Sequence, residues 1–139
     1  MRRKQDGEVE KTLERFEKIA NGMPCFSEKG WRGFCFTAAN EAVIRTSDIM
    51  YLEEERVYSV RTDLLTRPLT KSDFQKVFRI AEINESSYDA QLRFDEDGTV
   101  FAVFYVEDYE TDLFGHYFAD FVKFVSDSED ILNQITNAA

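Results

Sequence analysis

The stretch from Tyr88 to Asp108, YDAQLRFDEDGTVFAVFYVED, constrains the fold more than any other part of the chain. Ala90, Leu92 and Phe94 alternate with Gln91, Arg93 and Asp95, the period of two that marks a half-buried strand. Asp97-Gly98 then supplies the backbone angles of a tight hairpin turn. The returning strand, Val100 to Val106, is apolar on both faces: Val100, Ala102, Phe104 and Val106 on one, Phe101, Val103 and Tyr105 on the other. A strand of this kind has to be covered on both sides, by helices of its own chain or by another molecule.

The remaining elements fit around that hairpin. Val9, Leu13, Phe16, Ile19 and Ala20 recur at helical spacing, and Gly22-Met23-Pro24 stops a first amphipathic helix of about residues 7 to 21. Short β-branched and aromatic runs follow, broken by Gly30, Gly33, Asn40 and Asp48. The strands expected there are Phe34 to Ala38, Glu41 to Thr46, Ile49 to Glu53 and Arg56 to Leu64. In the last, Tyr58, Val60, Thr62 and Leu64 share one face. After Arg67-Pro68, a central helix begins near Thr70, with Asp73 in its first turn and Phe74, Val77, Phe78 and Ala81 on one face before Asn84. Cys25 to Cys35, CFSEKGWRGFC, reads as a hairpin only if the chain turns near Gly30.

The C-terminal segment holds the single histidine. On a helix from Leu113, residues Phe114, Phe118, Phe121 and Val125 fall on one face, and Leu132 and Ile135 continue it. His116 falls nearly opposite, beside Asp112 and Asp120, where a solvated ion pair accounts for it.

Size and composition agree with one packed domain spanning residues 1–139. A chain of 139 residues buries about 68% of its unfolded surface, enough to fold without a metal or disulfide. No run approaches the roughly 18 apolar residues of a membrane span, and the acidic turn after MRRK is unlike a signal peptide, so the expectation is a cytoplasmic protein with no membrane partner. Residues 1–81 carry 15 Lys+Arg against 13 Asp+Glu, whereas residues 82–139 carry 2 against 14. Such an acidic C-terminal part repels phosphate backbones and argues against nucleic-acid binding.

No motif announces chemistry. The phosphate loops GxxxxGK[ST] and GxGxxG, HExxH and GxSxG are all absent. A calcium loop laid over Asp95, Asp97 and Gly98 would put Arg93 at its first ligand and Phe104 at its bidentate glutamate, so that reading fails. Two cysteines without Cys-x-x-Cys spacing suggest buried reduced thiols and no metal site, with a disulfide conceivable if Cys25 and Cys35 face each other in a hairpin. Neither a catalytic residue nor a cofactor is indicated.

The expected class is therefore α+β: an antiparallel sheet with N-terminal, central and C-terminal helices in the order α-β-β-β-α-β-β-α. That order resembles the type III secretion chaperone-like fold. More narrowly, VYSVRTDLLTRPLTKSDFQKVFRIAEIN and LRFDEDGTVFAVFYVED with FADFVKFVSDSEDIL, within about residues 57 to 132, are similar to the YbjN family of bacterial proteins described as sensory transduction regulators. The resemblance implies a non-enzymatic domain, a homodimer, that holds another polypeptide. It supplies no catalytic residue.

Candidate contacts for such a partner are Trp31, Phe34 and Phe36, large aromatics beside glycines, together with Phe101, Val103 and Tyr105 on the second face of the apolar strand. A small-ligand domain with an apolar pocket between the C-terminal helix and the sheet is the alternative. An enzyme built on unmarked carboxylates is a third reading, which no motif supports.

Overall fold

A computed structural model of the chain describes residues 6–37, 44–64, 73, 75, 90–97 and 99–137. Helix α1 (Asp6–Ile19) leads into β1 (Met23–Glu28), β2 (Trp31–Thr37), β3 (Ile44–Leu52) and β4 (Val57–Asp63). Strands β5 (Gln91–Phe94) and β6 (Val100–Glu107) follow, then a 3-10 turn over Asp108–Leu113 and helix α2 (Phe114–Asn137). The expected central helix near Thr70 to Asn84 lies outside the described residues, except for Asp73 and Gln75, which are helical.

All six strands join one antiparallel sheet in the order β1-β2-β3-β4-β6-β5. The hairpin over the Asp97 turn forms as expected: Leu92 pairs with Ala102, Asp95 N donates to Thr99 O at 2.9 Å, and Thr99 N donates to the Asp97 carboxylate at 3.0 Å. Gly98 itself lies outside the described residues.

Three local readings change. The chain does turn at Gly30, and the first arm of that hairpin is an additional edge strand, β1, which accommodates Pro24 because an edge strand need not donate every N–H to the ladder. Asp48 does not break a strand: it sits in the middle of β3, opposite Gly33 on one side and Arg61 on the other. Helix α1 stops because Asn21 adopts a left-handed conformation, φ 54°, with Gly22 N donating to Glu17 O and Asn21 N to Lys18 O. Those two bonds close the last turn in a Schellman arrangement, so Pro24 is not the terminator.

The core fills one side of the sheet. From α1, Val9, Leu13 and Phe16 descend onto it. From α2 come Phe114, Phe118, Phe121, Phe124, Val125 and Leu132, while the sheet contributes Phe34, Phe36, Ile49, Tyr58, Val60, Val100, Ala102, Phe104 and Val106. At the centre, Phe16 and Phe114 lie nearly parallel, 7° apart with centroids 4.0 Å apart, and Tyr58 meets Phe16 edge-on at 5.1 Å. Two ion pairs tie the helices to the strands. Glu10 accepts from Gly30 N at 2.7 Å and pairs with Arg32 at 2.6 Å, fixing the β1–β2 turn, where Gly30 has φ 73°. Glu129 of α2 holds the buried Arg45 of β3 at 2.7 Å.

Candidate functional site

Strand alternation sends the other half of the side chains to the opposite face of the sheet, where neither α1 nor α2 packs. Cross-strand register builds that face in rows. Gly33, Asp48, Arg61, Val103 and Gln91 form one, and Trp31, Met50, Ser59 and Tyr105 form the next. A shallow groove of about 390 Å³ opens here, lined by Phe26, Trp31, Thr46, Asp48, Met50, Arg61 and Asp63.

Each wall has a local cause. Gly33 carries no side chain, and a Cβ placed there would sit 2.1 Å from the Phe26 ring, so the glycine is the seat on which Phe26 rests. Phe26 in turn meets Trp31 edge to face at 4.8 Å. The indole N–H of Trp31 donates to Asp48 Oδ2 at 2.9 Å and fixes the carboxylate at the groove floor. Burial pushes the Asp48 carboxyl above its ordinary pKa, against the Trp31 hydrogen bond and the Arg61 charge, which pull it down.

Arg61, although directly opposite Asp48 in register, turns toward the other strands. Its guanidinium lies 3.8 Å from the Phe101 ring centroid, bonds Asp95 at 2.6 Å and reaches Asp63 at 3.0 Å. Burial works against its charge, but Asp95 and Asp63 more than offset this, and its pKa lies above the ordinary value.

The candidate contact residues divide between the two faces. Trp31, Phe101, Val103 and Tyr105 are on the open face, with Tyr105 49% exposed, Val103 buried and Phe101 half-buried under Arg61. Phe34 and Phe36 are on the helix-covered face, buried against Phe118 at 6.2 and 5.4 Å, which removes them from any binding surface. Their position follows from the alternation of β2: Trp31, Gly33 and Cys35 face outward, so Phe34 and Phe36 must face in. The pocket imagined between the C-terminal helix and the sheet is occupied by packed rings of α2, and the groove lies on the other face. Sequence reasoning missed Phe26, Asp48 and Met50. For Asp48 and Met50 the signal was the alternation of β3, which the expected break at Asp48 concealed; Phe26 lies on β1, outside the expected strands.

Cys25 and Cys35 meet in the β1–β2 hairpin with their sulfurs 2.8 Å apart, Cys25 occupying the bulge between Pro24 and Phe26. Contrary to expectation they are not buried: Cys25 is exposed and Cys35 half-buried. The hydrogen bond with Cys35 raises the Cys25 thiol above its ordinary pKa. His116 stands on the outer side of α2 with its side chain 76% exposed, 3.8 Å from Asp120. Among the described residues, no three His, Cys, Asp or Glu side chains gather as a metal site, and no helix is long and apolar enough to cross a membrane.

No family model matches the chain, and no curated protein matches its sequence. Solved structures do match. A chain of the HopA1-SchA chaperone-effector complex superposes with a TM-score of 0.62 at 12% identity, covering 91% of this chain and 99% of that one. A chain of the ExsC-ExsE complex gives 0.63 at 15% identity, covering 91% and 95%. A chain from the structure of the Yersinia pestis type III secretion chaperone SycH with a stable fragment of YscM2 gives 0.55 at 12% identity, covering 89% and 98%. The six-stranded sheet with its N- and C-terminal helices is a type III secretion chaperone-like fold.

Proposed function

We propose that this chain is a non-enzymatic protein-binding module, a chaperone-like or regulatory adaptor that holds an extended segment of another polypeptide. The observation that carries the reading is the face of the sheet that neither described helix covers: Phe26 and Trp31 line a groove there, and Tyr105 stands exposed farther along the same cross-strand row as Trp31. Half-exposed aromatics beside a groove are the residue types that anchor protein partners. The structural neighbours support it, since each is a complex and two are described as chaperones with a bound effector or protein fragment. A regulatory role, which a resemblance to the YbjN family would imply, and a cytoplasmic homodimer as the working form are the finer parts of this reading.

The test is capture of the tagged full chain from its native cells, identification of any stoichiometric polypeptide, and limited proteolysis of the complex. The reading expects a dimer of this chain and one extended partner segment protected from protease. A chain that comes down without protein but with a small molecule would instead make it a ligand-binding domain.

A further inference from the structure

We infer that the groove on the open face recognises a basic side chain, lysine or arginine, carried by the extended partner segment. This rests on the protein-binding reading above and names the chemistry of the partner. Asp48 carries the argument. Its carboxylate is partly withdrawn from water at the groove floor and held by the Trp31 indole, yet among the described residues no Lys or Arg pairs with it. The cation opposite it in register, Arg61, is stacked on Phe101 and committed to Asp95 and Asp63.

Three carboxylates, Asp48, Asp63 and Asp95, thus stand around one guanidinium. A carboxylate partly withdrawn from water, with only the shared and more distant charge of Arg61 to offset it, is unfavourable, and an incoming cation relieves that cost. The walls suit a basic side chain as well as the floor does. Trp31 and Phe26 offer aromatic surface to a cation, for which tryptophan is the strongest partner, and Met50 can pack against the aliphatic stem. A groove of about 390 Å³ lies at the small end of the usual range of roughly 300–1,000 Å³ for ligand pockets, suited to one long side chain. The net charge of −10 attracts a basic segment from a distance.

Trp31 is the only tryptophan of the chain, so its fluorescence reports the groove directly. The full-length protein is titrated with acetyl-Ser-Lys-Val-Lys-Ser-amide and with the same peptide carrying Gln for both Lys. Saturable binding is expected for the lysine peptide, falling with added salt, and at least about tenfold weaker for the glutamine peptide and for Asp48→Asn with the lysine peptide. Equal binding of the two peptides, unchanged binding by Asp48→Asn, or no response to either peptide would each overturn the inference. Circular dichroism verifies that Asp48→Asn folds; should it not, Asp63→Asn at the exposed rim carries the same expectation and the same refutation.

The two readings fail separately. If the native partner binds Asp48→Asn as tightly as the unaltered chain, the basic-residue site is wrong while the protein-binding function stands. If the lysine peptide binds but no polypeptide partner is captured, the site stands and the protein-binding function falls.

Discussion

Replacing Phe114 with alanine should remove about 4 kcal/mol of stability, because truncating a buried phenylalanine costs about 3–5 kcal/mol. The upper half of that range applies here. Phe114 has no exposed surface and touches three rings, Phe16 at 4.0 Å, Phe118 at 5.5 Å and Phe104 at 6.2 Å, which belong to α1, α2 and β6. The neighbours are held by separate elements, so none can collapse into the space without moving a helix or strand. With a urea slope of about 2 kcal/mol per molar, the unfolding midpoint falls by about 2 M. Two residues away, His116→Ala on the outer side of the same helix should move it by less than about 0.3 M, since an exposed i,i+4 pair is worth a few tenths of a kcal/mol. Equilibrium urea unfolding followed by circular dichroism and by Trp31 fluorescence measures both. A Phe114→Ala shift under about 0.5 M, or a His116→Ala shift of comparable size, would refute the placement of α2 against the sheet.

Glu129→Ala withdraws the carboxylate that Arg45 holds at 2.7 Å and should cost about 1–3 kcal/mol in urea unfolding, persisting in high salt because the pair is shielded from solvent; a cost that vanishes in salt would mean an ordinary surface pair. Oxidised glutathione should link Cys25 to Cys35, each thiol giving up its hydrogen as the glutathione disulfide is reduced to two thiols, so mass spectrometry finds the intact chain lighter by two hydrogens and Cys25→Ser abolishes the change. Stable glutathione adducts on both cysteines would contradict that proximity. Asp48 has its pKa raised by burial, so the folded state binds its proton more tightly than the unfolded chain does; its contribution to stability is present below the ordinary value of 3.8 and is lost as pH rises through the raised one. Asp48→Asn should therefore be more stable than the unaltered protein at neutral pH, with the difference disappearing in acid; thermal melts across pH check it, and a destabilised variant at neutral pH would show that Asp48 is not strained by its charge.

Sequence by itself determined the parts governed by local periodicity. The Asp97 hairpin, the amphipathic α1, the Phe stripe of α2 and the outward placement of His116 all follow from spacings of two or of 3.6 residues, which the backbone imposes whatever the surroundings. Tertiary structure decided what lies between. Asp48 and Gly33 look like breaks because aspartate and glycine are poor strand formers in isolation. Within the sheet, each is accommodated by a residue distant in sequence or on a neighbouring strand: Trp31 donates to Asp48, and Phe26 covers Gly33. Likewise, that β6 is apolar on both faces could be read directly, but not that α1 and α2 cover only one of them, with Tyr105 exposed and Trp31 lining a groove on the other. Which face a helix covers depends on contacts between residues far apart in the chain, such as Phe16 with Phe114 and Arg45 with Glu129, and a pattern of neighbours along the sequence carries no record of them.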